Sequence, residues 1–494
     1  MTAPTTSLAL PDVLERRAAD DPDGVAFNVN GGAELRFAEW EARSRAVAHA
    51  LLRAGVGTGA RVALLFSGLD WIEYAVAYLG VLRTGATCVH LNDGLPQAET
   101  DRRLAQCEVA RVVHADRLSP PVGFTGAAHP LSSLEGGDDG PVPVSVHSET
   151  IADILYTTGT TGTPKAYTVP HGNLTFGRDP ELFRTFRGQP VSYMLVPMLL
   201  GTGTSATCVN AALSAPATSL VCDPDDVERM GELIALFRVG SIAITPWIAT
   251  RMLAARIDER HDLSSVTMSF SGSAALPPAL AKGMMALIPG SRVASACSQS
   301  EAGPALIVNL FDPSKPLAVG RPSATTELRL VDEHGETVPT GEVGEIWLRH
   351  PAPKKLYLDP ELSRPILADG WYRTGDYARL DDEGTVFFFD RGADLVRTPT
   401  GPVSTIEIEA VLYDHPAVRE AAVFGVDGQV FAACALLDPD RLDELAAYAE
   451  THLATPQVPT RYLVVETLPR SQNGKILKRE LRRRVRDEAL PSPA

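Results

Sequence analysis

The 494-residue sequence has few aromatic residues, few cysteines and fewer basic than acidic residues. Phe, Trp and Tyr make up 6% of the chain, so it lacks the aromatic platforms on which single-stranded nucleic acids stack. Lys and Arg number 45 against 61 Asp and Glu, which gives a formal net charge of −16. A chain this acidic is repelled by phosphate polymers. We therefore expect no nucleic-acid partner.

The sequence also lacks a cysteine pattern, a secretory signal and a long uninterrupted apolar run. Its six cysteines form no CxxC pair and no zinc-ligand spacing with histidine, which is typical of a protein in a reducing compartment. The first 17 residues have neither a basic start nor an apolar core. The most apolar long stretch, residues 62–82, carries Asp70 and Glu73 in its middle. We expect a cytoplasmic protein with no membrane partner.

The length and the pattern of apolar residues predict a multidomain α/β protein. At about 150 residues per domain the chain allows roughly three folding units. Short apolar runs alternate with amphipathic stretches in the first part of the chain, as in the strand at 61–66, the helix at 70–82 and the strand at 87–90. This alternation predicts a parallel sheet covered by helices.

The predicted secondary structure changes twice further along the chain. From residue 327 it becomes rich in predicted strands, including a hairpin that turns at 381–384. The last 100 residues or so have an α+β alternation of their own. We predict a large N-terminal domain (1–390) of two mixed α/β subdomains plus a β-rich subdomain. A small mobile C-terminal α+β domain (391–494) follows, with the hinge at 390–394.

A loop rich in threonine and glycine follows a predicted strand at 151–156. Residues 156–165 read YTTGTTGTPK. Glycines let a backbone approach a phosphate, successive N–H groups form an anion-binding concavity, and hydroxyls and an ammonium add donors. The P-loop of NTPases is a poor match, since Pro164 precedes Lys165 and Ala166 follows it. The phosphate-binding candidates are Thr157, Thr158, Gly159, Thr160, Thr161, Gly162 and Lys165.

This loop, together with residues 170–173 (PHGN), resembles the phosphate loop of the adenylate-forming superfamily. That superfamily contains acyl-CoA synthetases, adenylation domains of nonribosomal peptide synthetases, and luciferases. The resemblance extends over nearly the whole chain, and it rests on the order and spacing of several further segments: 271–276 (SGSAAL), 320–322 (GRP), 341–348 (GEVGEIWL), 370–376 (GWYRTGD), 390–391 (DR), 407–409 (EIE) and 474–476 (GKI). It implies that ATP and a carboxylic acid form an acyl-AMP with release of pyrophosphate. The acyl group then passes to a second nucleophile, usually a thiol.

The resemblance assigns the Mg²⁺ site and part of the nucleotide site to residues 297–301 (CSQSE). Relatives usually have Tyr-Gly-x-Thr-Glu here. Glu301 is then the carboxylate expected to help hold Mg²⁺ on the ATP phosphates, a role that suits a hard oxygen ligand. We place Glu301 and Thr160 with the catalytic residues, and Ser298 and Ser300 with the nucleotide contacts. Cys297 replaces the tyrosine that usually stacks on adenine, which puts nucleotide affinity or selectivity in doubt.

The resemblance also assigns the adenosine contacts and the catalytic lysine. Asp376 is expected to accept hydrogen bonds from both ribose hydroxyls, with Arg391 as a second ribose contact at the domain junction. Lys475 matches the lysine that bridges the carboxylate and the α-phosphate, and its point charge on a flexible stem suits this task. The stretch that usually lines adenine is matched by Ser273, Ala274 and Ala275.

Three departures from the family pattern bear on the second step. Leu200 stands where relatives usually have a histidine or an aromatic residue, and Ala393 stands where they have aspartate or lysine. Residues 397–405 replace a glycine-rich loop and carry Thr400 at the usual glycine. The predicted acyl pocket has no Asp or Lys to pair with a charged substrate group, which favours an apolar, aromatic or very small acid. This pocket consists of Leu200, Thr204, Trp247, Phe270, Ser271 and Gly272.

Three functions remain open from the sequence. The first is an acid–CoA ligase that uses ATP, Mg²⁺ and CoA, and we expect no in-line synthetase module because no carrier-protein segment follows Lys475. The second keeps adenylation and changes the acceptor to a carrier-protein thiol or an amine, or activates nitrite for diazotisation of an arylamine. The third is an inactive nucleotide-binding homologue, suggested by Cys297.

Overall fold

The structure is a computed structural model that describes residues 8–157, 164–178, 180–185, 190–399, 401–471 and 474–489. It consists of a large mixed α/β N-terminal part and a small α+β C-terminal part, as the sequence predicts. The three strands of the main C-terminal sheet pair only with one another. All six cysteines are free thiols.

The N-terminal part contains helices and strands in alternation. The helices are α1 (Leu10–Asp20), α2 (Phe37–Arg53), α3 (Trp71–Arg83), α4 (Gln97–Gln106), α5 (His171–Leu174), α6 (Gly203–Ser214), α7 (Val227–Phe237), α8 (Pro246–Ala255), α9 (Pro278–Leu287) and α10 (Pro360–Ser363). The strands are β1 (Val25–Val29), β2 (Glu34–Arg36), β3 (Arg61–Leu65), β4 (Thr87–Leu91), β5 (Arg111–His114), β6 (Ala127–Pro130), β7 (Ile151–Tyr156), β8 (Ala166–Pro170), β9 (Tyr193–Val196), β10 (Thr218–Val221), β11 (Ser241–Ile244), β12 (Met268–Ser271), β13 (Arg292–Cys297), β14 (Ile307–Leu310), β15 (Ala318–Pro322), β16 (Glu327–Val331), β17 (Gly344–Arg349), β18 (Leu356–Tyr357), β19 (Leu367–Ala368), β20 (Trp371–Leu380) and β21 (Val386–Arg391).

The C-terminal part also combines helices and strands, and it is smaller. Its elements are β22 (Val396–Thr398), β23 (Gly401–Val403), α11 (Thr405–Tyr413), β24 (Val418–Val426), β25 (Gln429–Leu436), α12 (Leu442–His452), β26 (Arg461–Val464) and α13 (Lys478–Ala489). The predicted hinge at 390–394 falls at the end of β21 and in the connection to β22. Rotation about it stays a prediction.

The first sheet has seven strands in the order β18-β8-β7-β4-β3-β5-β6. The strands from β7 to β6 run parallel, which confirms the parallel sheet expected from the alternation of strands and helices. Every residue of α3 except Glu73 is buried, which explains why residues 62–82 are so apolar. Within the described ranges, no helix combines the length and the apolar character that a membrane crossing requires.

The second sheet has fourteen strands and changes character along its length. From β1 through β10, β9, β11 and β12 to β13 the strands are parallel, and from β14 onward they are antiparallel. The antiparallel end is the β-rich region predicted after residue 327, and β20 and β21 form its expected hairpin. Their register places Asp376 opposite Arg391.

The C-terminal part has a three-stranded sheet in the order β24-β25-β26, against which helices pack. Leu481 and Val485 of α13 are buried against this sheet, as their helical spacing predicts. Leu477 directly precedes α13, which begins at Lys478. The amide of Leu477 donates to the Pro469 carbonyl at 2.8 Å.

We predict an acid-sensitive contact at His171, at the start of α5. Its buried Nδ1 accepts a hydrogen bond from the Leu10 amide at 3.2 Å, and burial lowers the pKa of the imidazole to about 4. The unfolded chain takes up this proton near pH 6.5 and the folded chain does not, so stability falls as the pH drops from 6.5 towards 4. The loss at this site is about 2 kcal/mol between pH 7 and pH 5.

Urea unfolding at pH 7 and pH 5 measures this dependence. His171→Asn keeps an acceptor near Nδ1 and removes the titrating ring, so the difference between the two pH values should shrink. His334→Asn, at a surface histidine whose side chain is 77% exposed, is the matched control and should leave the difference unchanged. An unchanged pH dependence in His171→Asn would contradict the assignment.

Candidate active site

The loop expected to bind phosphate joins β7 to β8. The buried strand predicted before it is confirmed, and the loop is closed by two hydrogen bonds at its base. The Thr157 amide donates to the Lys165 carbonyl at 3.0 Å, and the Lys165 amide donates to Thr157 Oγ1 at 3.1 Å. Lys165 is exposed, and its Nζ lies 5.6 Å from the centre of the Tyr357 ring. The other predicted members of the loop lie outside the described residues: Thr158, Gly159, Thr160, Thr161 and Gly162.

Two residues from the segment around β18 form hydrogen bonds with Glu301 and its neighbour Ser300. The Tyr357 hydroxyl donates to Glu301 Oε1, and Lys355 Nζ donates to the Ser300 carbonyl at 2.9 Å. Burial lowers the pKa of Lys355 to about 8, against the opposing effect of the Glu301 and Asp153 carboxylates. Sequence reasoning missed Tyr357 and Lys355. They lie more than fifty residues from their partners, and no motif links the two segments.

The surroundings of Glu301 fit a magnesium ion held mainly by substrate. Among the residues that the structure describes, no group of three His, Cys, Asp or Glu side chains is arranged to hold a metal ion by itself. Mg²⁺ in nucleotide sites is typically bound through one or two carboxylates together with phosphate oxygens and water. A single carboxylate at Glu301 is consistent with that arrangement.

Cys297 and Ser298 occupy the end of β13. Burial raises the pKa of the Cys297 thiol to about 12, and the nearby Asp376 carboxylate adds to this rise. The thiol is therefore neutral at physiological pH, beside the predicted ribose-binding residue. The Ser298 hydroxyl donates to the Ala305 carbonyl at 2.5 Å, so in this structure it fixes its own loop.

Asp376 and Arg391, the two predicted ribose contacts, form an ion pair. Arg391 Nε lies 3.2 Å from Asp376 Oδ1, and the Gln299 side-chain amide donates to Asp376 Oδ2 at 3.2 Å. Burial raises the pKa of Asp376, and the Arg391 guanidinium is the largest opposing effect. Gln299, which sequence reasoning missed, thus connects the Glu301 segment to the ribose-binding candidates. Arg391 and Gln299 fix the orientation of the Asp376 carboxylate, and its recognition of the ribose hydroxyls stays a prediction.

Lys475 reaches this group from the C-terminal part. Burial lowers the pKa of its ammonium and so does the Arg391 charge, while Asp376 and Glu301 oppose the shift. Its loop is closed by the Ser471 amide, which donates to the Lys475 carbonyl at 2.8 Å. The structure therefore brings Lys475, Asp376, Arg391 and Glu301 within electrostatic reach of one another.

A cavity of about 200 Å³ lies between the two parts of the molecule at this point. Arg391 and Lys475 line it together with all three predicted adenine-lining residues: Ser273, Ala274 and Ala275. Ser273 takes a positive φ of 75°, which turns the chain sharply after β12. These five predicted site residues, from both domains, thus line one cavity.

The residues predicted for the acyl pocket separate into two groups. Trp247 lines the 200 Å³ cavity, and it lies at the same sheet edge as residues 270–272 because β11 and β12 are parallel neighbours. Phe270 is 44% exposed, Ser271 is buried, and the Gly272 amide donates to the Ile244 carbonyl at 3.1 Å.

The second group lies around the start of α6. Leu200 is buried in the large hydrophobic core, and Thr204 is partly buried in the first turn of the helix. The glycines between them, Gly201 and Gly203, line a separate cavity of about 420 Å³ beside Thr157. The role of both groups in holding the acyl chain stays a prediction.

Sequence comparisons identify the family on both parts of the chain. The model described as AMP-binding enzyme matches residues 14–358, and the model of the AMP-binding enzyme C-terminal domain matches residues 407–475. A feruloyl-CoA synthase of Amycolatopsis sp is 31% identical over 95% of this chain and 97% of its own length. A 4-coumarate-CoA ligase of Narcissus pseudonarcissus is 27% identical over 92% and 89%.

Solved structures of similar fold cover almost the whole chain. The amide bond synthetase McbA from Marinactinospora thermotolerans superposes with a TM-score of 0.80 at 26% identity, covering 96% of this chain and 99% of that one. The ATP-bound MatB from Rhodopseudomonas palustris gives 0.84 at 26%, covering 98% and 100%. With the nucleotide cleft assembled from both domains, these matches show that the chain belongs to the AMP-binding enzymes of the adenylate-forming superfamily and is an ATP-dependent adenylate-forming ligase.

Proposed function

We propose that this ligase activates an aromatic carboxylic acid of the hydroxycinnamate type and passes the acyl group to the thiol of CoA. The observation that carries the adenylation step is the cavity between the two domains, which Lys475 lines together with Arg391 and the adenine-lining candidates Ser273, Ala274 and Ala275. In this orientation of the C-terminal part, Lys475 lies beside the predicted nucleotide contacts of the other domain. ATP and Mg²⁺ are the proposed cofactors.

In the first step a carboxylate oxygen of the acid attacks the α-phosphorus of ATP. The bond from that phosphorus to the bridging oxygen breaks, and pyrophosphate leaves with the electron pair. Lys475, placed between the two anions, lowers their repulsion and stabilises the negative charge that develops. Asp376 and Arg391 orient the ribose, and Mg²⁺ held by Glu301 would neutralise charge on the phosphates.

Two observations support an aromatic acid. The segment from Phe270 to Ala275 that faces the nucleotide side of β12 contains no charged residue. Phe270 offers a half-exposed ring at the same sheet edge as Trp247, which suits a flat apolar substrate. Relatives similar over nearly the full chain are named for ferulate and 4-coumarate.

CoA is the first candidate acceptor because a feruloyl-CoA synthase and a 4-coumarate-CoA ligase are among the relatives that match nearly the whole chain. An amine is the second candidate, supported by the similarity to an amide bond synthetase over 96% of the chain. With a thiol the product is a thioester, and with an amine it is an amide. In both cases AMP leaves.

One incubation series separates these possibilities. The enzyme with ATP, Mg²⁺ and ferulate or 4-coumarate should release pyrophosphate, and addition of CoA should give the CoA thioester by mass spectrometry. Adenylate without thioester, together with an amide when benzylamine is added, would instead favour the second acceptor. No pyrophosphate release with any acid of a broad panel would contradict the proposal.

A further inference from the structure

Trp247 is a residue of the N-terminal part that touches the segment carrying Lys475. It stands in the first turn of α8, and its side chain is only partly buried. It lines the cavity of about 200 Å³ together with Arg470, Gly474 and Lys475. Proximity to Lys475 makes the packing of this indole relevant to the chemistry.

Two contacts join the indole to the C-terminal part. The guanidinium carbon of Arg470 lies 4.4 Å from the centre of the Trp247 ring, a cation–π distance. On the same indole, Gly474 packs so closely that a Cβ there would lie 3.0 Å from Trp247 Cβ. Gly474 has a φ of +76°, so both its backbone conformation and this close approach favour glycine.

Arg470 connects the indole to the loop that begins at Ser471 and ends at Lys475, here called the lysine loop. Its Nη1 donates to the Gly474 carbonyl at 2.7 Å, directly before Lys475 in the chain. Its Nη2 pairs with Glu420 of β24, which ties the arginine to the body of the C-terminal sheet. The indole therefore stabilises Arg470, and Arg470 in turn joins the backbone next to Lys475 to the C-terminal sheet.

We propose that Trp247 is a positioning residue that docks the C-terminal domain for adenylation and holds Lys475 over the site. The proposal rests on the adenylation role of Lys475 given above. Trp247 acts through Arg470 and Gly474 and needs no contact with substrate. Because Lys475 serves only the first step in the proposed mechanism, loss of the indole should affect acyl-AMP formation more than the transfer step.

Comparison of the two half-reactions tests the docking role. In Trp247→Ala, ATP–pyrophosphate exchange with ferulate should fall about tenfold, the loss expected for a partly desolvated cation–π contact with its packing. At saturating, chemically prepared feruloyl-AMP any weaker binding of the acyl group is overcome, so the maximal rate of transfer to CoA should fall by a smaller factor than exchange does. Trp247→Phe should lie between the two, because phenylalanine keeps an aromatic face for Arg470.

Trp371→Phe is the control for loss of a tryptophan stacked on arginine. Trp371 packs against Arg329 and Arg349, each with its guanidinium carbon 4.4 Å from the ring centre, in the β-rich region. This variant should leave the ratio of the two half-reactions unchanged. An equal fall of both half-reactions in Trp247→Ala, or a fall in neither, would overturn the proposal.

Hydrogen–deuterium exchange tests the docking contact without any substrate, so it is independent of the acid assigned above. In Trp247→Ala the amides of Ser471 and Gly474, which bond at 2.8 and 2.9 Å within the lysine loop, should exchange faster than in wild type. The β24–β25 ladder should keep its protection. Unchanged exchange in the lysine loop would overturn the docking role even if another acid proves to be the substrate.

Discussion

Lys475→Ala should lower acyl-AMP formation by ~10²-fold or more, the cost of removing a donor that stabilises transition-state charge. The side chain belongs to the C-terminal part and interacts electrostatically with Asp376, Arg391 and Glu301 of the other part. ATP–pyrophosphate exchange with ferulate measures the loss. Transfer from prepared feruloyl-AMP to CoA should remain close to wild type.

Lys315→Ala is the matched control for this substitution. Lys315 pairs with Asp381 and Glu383 on the surface of the β-rich region, so its loss removes the same charge away from the cleft. Its pyrophosphate exchange should equal that of wild type. Exchange near the wild-type rate in Lys475→Ala would remove Lys475 from the mechanism.

The pH profile gives a second measure of the same lysine. Burial and the Arg391 charge lower the pKa of Lys475, and the step requires its protonated form. The alkaline limb of kcat/KM for adenylation should therefore appear at a lower pH than an ordinary lysine would give. If the alkaline limb is absent from the pH profile of the residual activity of Lys475→Ala, the limb belongs to the Lys475 ammonium.

Part of this site could be predicted from the sequence, because its signals lie within short segments of the chain. The buried strand before the threonine-rich loop is marked by its apolar run, and the β20–β21 hairpin by its turn residues. Asp376 and Arg391 each stand in a segment that resembles the family, and the antiparallel register of that hairpin places them opposite one another.

The contacts that assemble the site were not predictable, because they join segments whose spacing carries no periodic signal. Gln299 reaches Asp376 across 77 residues, and Tyr357 reaches Glu301 across 56. Trp247 remains a predicted acyl-pocket residue, and its contacts with Arg470 and Gly474 were not foreseen from the sequence. Such a contact depends on how the two domains pack against each other. No short segment of the sequence carries a signal for that packing.

Asp376→Asn should lower kcat/KM for ATP by about 10²-fold, since charge-assisted hydrogen bonds to two ribose hydroxyls are each worth roughly 1.5–3 kcal/mol. Asparagine keeps the shape of the side chain and loses one acceptor and the charge. The buried Asp376 is 5% exposed and paired with Arg391, so water does not readily replace the lost interaction. Steady-state pyrophosphate release at varied ATP measures the change.

Deoxynucleotides show whether the loss arises at the ribose. Wild type should use 2′-deoxy-ATP and 3′-deoxy-ATP about tenfold less efficiently than ATP, because each lacks one hydroxyl for the carboxylate. Asp376→Asn should discriminate much less, since the partner of those hydroxyls is already weakened. Asp382→Asn, at an exposed turn position of the same hairpin, should retain wild-type discrimination. If Asp376→Asn kept the wild-type preference for ATP over both deoxynucleotides, the carboxylate would serve only its ion pair with Arg391, and ribose recognition would belong to other residues of the cleft.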